Sequence, residues 1–333
     1  MTMQRPLQPG ERMPPDTPIE WSPLHVGFIG AGNLGKPLAM ALAAVGWQVA
    51  AVASRTLESA QALAALVPGC RVETTFSGVA EVCDIVFVTT PDDVVPAVAA
   101  EVPWRQGQGV VHCSGSSTLD VLDSARLRGA VVGSFHPLQT FAAAAFTDAG
   151  EVLDFLNGVS FAVEGSDWLR PALERMAKDL GGRAVHVPPQ DRSLYHAAAV
   201  MACGYIAALL RDGTQLWSAF DQDPKDALQS LLPLARGTIE SLQRVGLPRG
   251  VTGPAVRGDL GTLRRHLDAM TTRAPNLLPL YCFLALASMA LARERGVSET
   301  RVREMEALVF EHLGRFTAAS ALGPRMPARS PGR

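Results

Sequence analysis

The 333-residue sequence predicts an α/β protein, a doubly wound and largely parallel sheet followed by an all-helical domain. Three observations predict this. Short apolar runs of strand length alternate with helix-spaced segments between Leu24 and Val187. A glycine-rich turn joins the first run to the first helix, and from Gln190 onward only helical periodicity remains. Alternation of the first kind builds parallel sheets with crossover helices, whereas an unbroken helical stretch builds a bundle.

The first strand is His25-Val-Gly-Phe-Ile29, and it runs directly into Gly30-Ala31-Gly32-Asn33-Leu34-Gly35. Leu34, Leu38, Ala41, Leu42 and Val45 then recur at helical spacing. Strand, G-x-G-x-x-G and helix in that order form the dinucleotide fingerprint of a Rossmann domain. Gly30 allows the turn, Gly32 lets the backbone approach a pyrophosphate, and Gly35 lets helix and strand pack closely. Free N–H groups at the helix start, with the helix dipole behind them, favour the phosphates.

The second strand, Gln48–Ala53, ends at Ser54-Arg55-Thr56. An NAD enzyme usually carries an acidic residue here to hold the ribose hydroxyls. A hydroxyl and a guanidinium suit a 2′-phosphate instead, so the cofactor is read as NADP(H). Residues 57–67 follow as a helix, and 83–89 form a buried strand ending at Thr89-Thr90-Pro91, expected to line the cofactor crevice. Asp92 and Asp93 are expected to cap a helix over 94–101. Strands Gly109–Cys113 and Ala130–Phe135 open into Ser114-Gly115-Ser116-Ser117 and His136-Pro137-Leu138. Loops at carboxyl ends of parallel strands bind ligands, which makes Ser114 and His136 substrate-edge candidates, with Cys113 read as packing. Strands at 159–163 and 184–187 flank a helix at 169–180, and Pro188-Pro189 ends this domain.

The resulting division is an unstructured tail over 1–22, a nucleotide-binding domain over 23–189, a helical substrate and dimerisation domain over 190–316, and a second tail over 317–333. In the helical part, Leu194–Leu210 is apolar all round and reads as a buried helix at the centre of a bundle or dimer. His196 interrupts it with a titratable imidazole that needs a partner, and histidine titrates near neutral pH. Between helices at 224–245 and 277–295 lies Gly250–Asp259, which presents Arg257 in a Gly-Pro-rich loop suited to a carboxylate substrate. Asp259 precedes a helix over 260–270, which fits an N-cap and also an orienting partner of Arg257 or His266.

Composition excludes several classes. A net charge of −2 with no basic cluster argues against nucleic acid as a partner. The first 22 residues hold five prolines and no apolar signal region. The apolar runs at 194–210 and 277–292 contain His196 and Pro279 and read as buried helices rather than membrane spans. Five cysteines, odd in number and without C-x-x-C spacing, fit a reducing cytoplasmic compartment and no metal site.

Taken together, GFIGAGNLG, SR after the second strand, HCSG, FHPLQTF, YHAAAVMACGY and TGPAVRGD resemble the Rossmann-like oxidoreductases that carry domain of unknown function 2520. These are relatives of ketopantoate reductase, pyrroline-5-carboxylate reductase and the 6-phosphogluconate dehydrogenase-like superfamily, and the resemblance spans about residues 24–315. It implies an NADP-binding N-terminal domain, a helical C-terminal domain and a homodimer formed through those helices. Where such chains are expected to carry Ser-Asn after the YHAAA segment, this one has Cys203-Gly204. The related reductases use a helical-domain lysine as proton donor, but the three lysines here are Lys36, Lys178 and Lys225, none within the central helix. His196 is therefore the expected general acid and His136 the second candidate. The expected reaction is hydride reduction of a small carboxylate-bearing 2-oxo acid of the ketopantoate type. The alternatives are an imine of the pyrroline-5-carboxylate type, or a non-catalytic NADP-binding sensor or scaffold.

Overall fold

A computed structural model describes residues 24–142 and 146–321, with side chains described through Phe316. The tail expected over 1–22 lies outside the described residues. So does most of the one expected from 317, although the last helix continues to Ala321. The chain divides into two compact units at Ala202/Cys203.

The first unit contains β1 (His25–Ile29), α1 (Gly35–Ala44), β2 (Gln48–Ala53), α2 (Leu57–Ala64), β3 (Arg71–Val72), α3 (Phe76–Val82), β4 (Ile85–Val88) and α4 (Val95–Glu101). It continues with β5 (Gly109–His112), α5 (Asp123–Leu127), β6 (Val131–Pro137), α6 (Ala149–Leu156), β7 (Ser160–Gly165), α7 (Leu169–Asp179), β8 (Arg183–Val185) and α8 (Arg192–Ala202). The strands form one sheet in the order β3-β2-β1-β4-β5-β6-β7-β8. Neighbours from β3 to β6 are parallel, β7 runs antiparallel to β6, and β8 is parallel to β7. The order reverses between β1 and β4, the place where open sheets of this kind hold ligands.

Strand residues alternate between faces, so each strand feeds two cores. On one face Phe28, Phe87, Phe135 and Phe161 form a row, with stacked pairs at 5.2 Å and 4.7 Å and an edge-on pair at 5.8 Å between ring centres. Leu38 and Leu42 of α1 and Leu173 and Met176 of α7 belong to the same core. On the other face Ile29, Val86, Val88, Val110 and Val132 pack with Val79, Val98 and Ala125 from α3, α4 and α5. Burying aliphatic and aromatic side chains on both faces contributes about 1.5–3 kcal/mol each and makes the sheet a rigid platform.

The second unit is all-helical, as expected: α9 (Gly204–Trp217), α10 (Pro224–Val245), α11 (Pro254–Arg257), α12 (Leu260–Arg273), α13 (Leu278–Glu294) and α14 (Glu299–Ala321). Leu263 and Leu267 of α12, Cys282 and Met289 of α13, and Val302, Met305 and Val309 of α14 form its core at i, i+4 and i+7 spacings. The helix expected to be buried over 194–210 is different on two counts. It breaks at Cys203 into α8 and α9, and its apolar side chains are largely exposed, Leu194 at 72% and Met201 at 65%. In α13, too, only one face is buried, while Phe283 and Leu284 are exposed. By length and composition alone, Pro189–Phe220 is apolar enough to cross a membrane. Its first turn, however, carries the fully buried Arg192, held against the sheet.

Candidate active site

The glycine turn has the geometry the fingerprint requires. Gly30 sits at φ +112°, and its N–H donates to Ala53 O at 2.8 Å, which brings the end of β2 beside the turn. A Cβ on Gly35 would lie 2.2 Å from Gly30 O, so only glycine lets α1 start this close to β1. Gly32 has open space in front of it, and Asn33 is exposed. Helix α1 has no side-chain cap and no acid in its first turn. Within α1, Lys36 N–H is taken by Gly32 O at 3.1 Å and Pro37 has none, so the N–H groups left for an anion are those of the turn itself, up to Gly35, the arrangement a pyrophosphate needs. Ala31 and Leu34 pack against the core beneath the turn.

Other cofactor candidates divide into those already engaged and those that are not. Arg55 is exposed at the end of β2, with no hydrogen-bond or ion-pair partner among the described residues, and Ser54 beside it is half-buried. Thr56 caps α2, accepting from Ser59 N. Thr89 Oγ1 donates to Gly30 O at 2.7 Å and so braces the glycine turn. Thr90 Oγ1, next to Pro91, is buried without a partner. Asp92 does not cap α4, whose N-cap is Val94 with no side-chain bond. It accepts instead from Ser114 Oγ at 2.6 Å, tying the loop after β4 to the loop after β5.

A second feature lies on the adjoining strands. In β5, β6 and β7 the residues pairing across the sheet as His112↔Ser134 and Ser134↔Glu164 form one polar row. By alternation His136 is on the same face as Ser134. His136 thus lies on β6 itself, paired with Ala162 of β7, and not in the loop expected after the strand. The antiparallel β7 carries the ladder past the expected end.

Helix α8 covers this row with Arg192, Tyr195 and His196, which at i, i+3 and i+4 share one helix face. Arg192 is 1% exposed; it donates to Ser114 O at 3.2 Å, to Ser134 Oγ, and to Glu164 Oε2 at 3.2 Å. A guanidinium so enclosed is tolerable because its charge is paired and most of its donors are used. This anchorage explains why the division falls after Ala202 and not at the expected 189/190: α8 is bolted to the sheet. Cys203-Gly204 stands at that break, with Cys203 exposed.

The imidazoles are shaped by the same burial. His112 Nδ1 accepts from Ser114 N–H at 3.2 Å. Burial first, then the charges of Arg192 and His136, push its pKa down to about 3. His136 is lowered to about 4, chiefly by burial and then by His196 and Arg192, with Asp92 opposing. Both rings are neutral at physiological pH. Tyr195 Oη lies 2.8 Å from His136 Nδ1, and burial raises the phenol's pKa. The rings of His136 and His196 meet edge-on at 6.4 Å, and His196 Nδ1 is buried without a partner.

Thus the sheet and α8 bring Ser114, His136 and His196 together, and add His112, Glu164, Arg192 and Tyr195, which sequence reasoning missed. The signal was present as the R-x-x-Y-H spacing of 192–196. Arg257 and Asp259 belong to the second unit. Arg257 is exposed at the end of α11, flanked by Gly253 and Gly258 at positive φ. Asp259 is the N-cap of α12, accepting from Thr262 N at 3.0 Å, and that bond lowers its pKa. His266 bonds Tyr281 Oη at 2.7 Å and not Asp259.

Comparison with known families agrees with this architecture. Residues 11–137 match the Rossmann-like domain, and residues 159–288 match the domain of unknown function DUF2520. The first segment is thus similar to Rossmann-like domains and the second to DUF2520 domains. Among curated proteins no sequence matches it. Among solved structures it is similar to a Bacteroides fragilis protein named as an NADP oxidoreductase, at 25% identity and TM-score 0.62, over 80% of this chain and 98% of that one. A Thermotoga maritima protein aligns at 21% identity and TM-score 0.62, over 81% and 99%. A reductive aminase of Aspergillus terreus, solved with NADPH and ethyl-5-oxohexanoate, aligns at 18% identity and TM-score 0.54, over 88% and 95%. The last two likenesses establish the shared fold.

Proposed function

We propose that this chain is an NADP(H)-dependent oxidoreductase that reduces a small carboxylate-bearing carbonyl compound, with a 2-oxo acid of the ketopantoate type as the leading substrate. The observation that carries the proposal is the glycine turn at the end of β1 together with a cluster of imidazoles, His112 and His136 on strands of the same sheet and His196 on α8 beside His136. The likeness to the Bacteroides fragilis protein supports the oxidoreductase class and the coenzyme.

Gly30 to Gly35 would hold the pyrophosphate, and Ser54 and Arg55 the 2′-phosphate. Thr90 Oγ1 and Pro91 would border the nicotinamide side. A nicotinamide coenzyme bound there supplies hydride to a planar carbon. The chain's own work is then to protonate the oxygen. His196 in its imidazolium form gives a ring proton to the developing alkoxide, forming the hydroxyl and leaving neutral imidazole. Arg192, paired to Glu164, fixes the helix that carries His196. Arg257 is the proposed carboxylate contact, with Asp259 acting as a cap that keeps the chain around it ordered.

The reductive aminase likeness favours a second reading, reduction of an imine. Following NADPH absorbance with 2-oxo acids and cyclic imine acids tests both. Turnover of oxo acids supports the first reading, turnover of imines alone supports the second, and no NADPH binding would sink both.

The exposed apolar side chains of the helical unit, among them Leu234 at 68% and Phe283 at 62%, support a homodimer formed through that unit. Sedimentation as a monomer at micromolar concentration would exclude it. The five free thiols support a reducing, cytoplasmic setting.

A further inference from the structure

The polar groups of Ser114 are all spent on the protein itself. The residue is 5% exposed. Its N–H donates to His112 Nδ1 at 3.2 Å, and its carbonyl accepts from Arg192 Nη1 at 3.2 Å. Its hydroxyl accepts from Ser117 N–H at 3.1 Å and gives its one proton to Asp92 Oδ2 at 2.6 Å. That last distance lies in the range of a charge-assisted O–H···O⁻ bond, about 2.5–2.7 Å.

Each of these bonds reaches a different part of the site. Asp92 belongs to the segment Thr90–Asp93, and among the described residues no other side-chain hydrogen bond leaves that segment. Arg192 opens α8, and Tyr195 and His196 follow one helical turn later. The hydroxyl bonds fix the turn at 114–117, and so the direction in which the Ser114 carbonyl meets the guanidinium. The next residue, Gly115, is the floor against which two imidazoles pack: an ideal Cβ there would come within 2.8 Å of His136 Nε2 and of His196 Nδ1. In so close-packed a place, a displaced turn moves both rings by contact and α8 through Arg192.

We propose that Asp92 and Ser114 are positioning residues: the carboxylate, acting through the Ser114 hydroxyl, fixes the 114–117 turn and with it the places of His136 and His196 relative to the loop after β4. Ser114 thereby orients the groups that act and does not itself touch substrate. The effect on turnover rests on the reading of His196 as proton donor. The link between the two loops and the rings does not.

The test is a double-mutant cycle on kcat in the full chain, with NADPH affinity read by calorimetry. Asp92→Ala and Ser114→Ala each cut the link and should lower kcat by about tenfold or more, since small misplacements of reacting groups cost that much, with a much smaller change in NADPH affinity. Both remove the same bond, so the double variant should be no slower than the slower single variant. Asp92→Asn keeps an acceptor oxygen for the Ser114 hydroxyl and should bring kcat back to within about threefold of wild type. Multiplicative losses in the double variant, no rescue by Asp92→Asn, or a lowered unfolding temperature with kcat retained would each overturn the proposal. Independently of turnover, the ring resonances of His136 and His196, followed with histidine labelled at nitrogen, should move in Ser114→Ala, which leaves the Asp92 charge in place. Unmoved rings overturn the link whatever the chain reduces. If wild type binds NADPH yet turns over neither oxo acids nor imines, the oxidoreductase reading fails, and the ring resonances still decide the link.

Discussion

Acidification should destabilise this protein well before its carboxylates titrate, and His112 is the main reason. The ring is fully buried, and its Nδ1 already accepts a hydrogen bond from Ser114 N–H. A second proton at Nδ1 would set donor against donor, beside the cationic Arg192. Its pKa accordingly falls from 6.5 to about 3. In the unfolded chain the same ring titrates normally, so between those two values the unfolded state binds the extra proton and the native state does not. Stability is then whole above about pH 6.5 and drains away as the pH drops toward the folded value. From about pH 7 to pH 5 the loss is about 2 kcal/mol for His112, at 1.36 kcal/mol per unit. This figure needs only that the native pKa lie below about 4. His136, lowered to about 4, adds a loss of the same sign. The assay is urea unfolding at both pH values for wild type and His112→Asn, whose amide oxygen keeps an acceptor near Ser114 N–H. The variant will be less stable overall, but its pH 7-to-5 loss should shrink by about 2 kcal/mol. An unchanged pH slope in the variant, or a His112 resonance titrating near 6.5, would refute the reasoning.

Other consequences are equally direct. Arg192→Ala leaves Glu164 and the buried row unpaired and should cost about 3–5 kcal/mol in chemical unfolding; a loss below about 1 kcal/mol would mean that α8 is not anchored this way. Arg55→Ala should weaken NADPH binding about tenfold or more with little effect on NADH, read by calorimetry; equal effects on both would show that the 2′-phosphate is held elsewhere. Gly35→Ala forces a methyl against Gly30 O and should abolish coenzyme affinity, while a variant with normal affinity would deny the cradle its role. His196→Ala should lower kcat by about 100-fold or more with the KM for NADPH unchanged; full turnover in that variant would remove the proton donor.

Much of the first unit was readable locally. The run His25–Ile29, the three glycines and the helical spacing after them each specify their own backbone, so β1, the turn and α1 fall where expected. The absence of acid at Ser54-Arg55 is likewise a local fact. His136 was misjudged as a loop residue because its strand partner, Ala162, is 26 positions away on a strand of opposite direction. Asp92 looked like a cap by proximity to α4, yet its hydrogen is supplied by Ser114 from another loop. Leu194–Leu210 looked buried because apolarity usually means burial, whereas its faces are exposed in the single chain.

The order of elements, the nucleotide cradle and the all-helical second half follow from period and glycine placement, because these act within a few residues of chain. The polar cluster over β5, β6 and β7 is different in kind. His112, Ser134 and Glu164 become one row only when three strands pair in register, and Arg192 has a reason to be buried only once that row exists beneath it. Charge pairing and donor–acceptor matching are contacts across space, so the lowered pKa of His112 and the pairing of His136 with Tyr195 were decided by the tertiary structure.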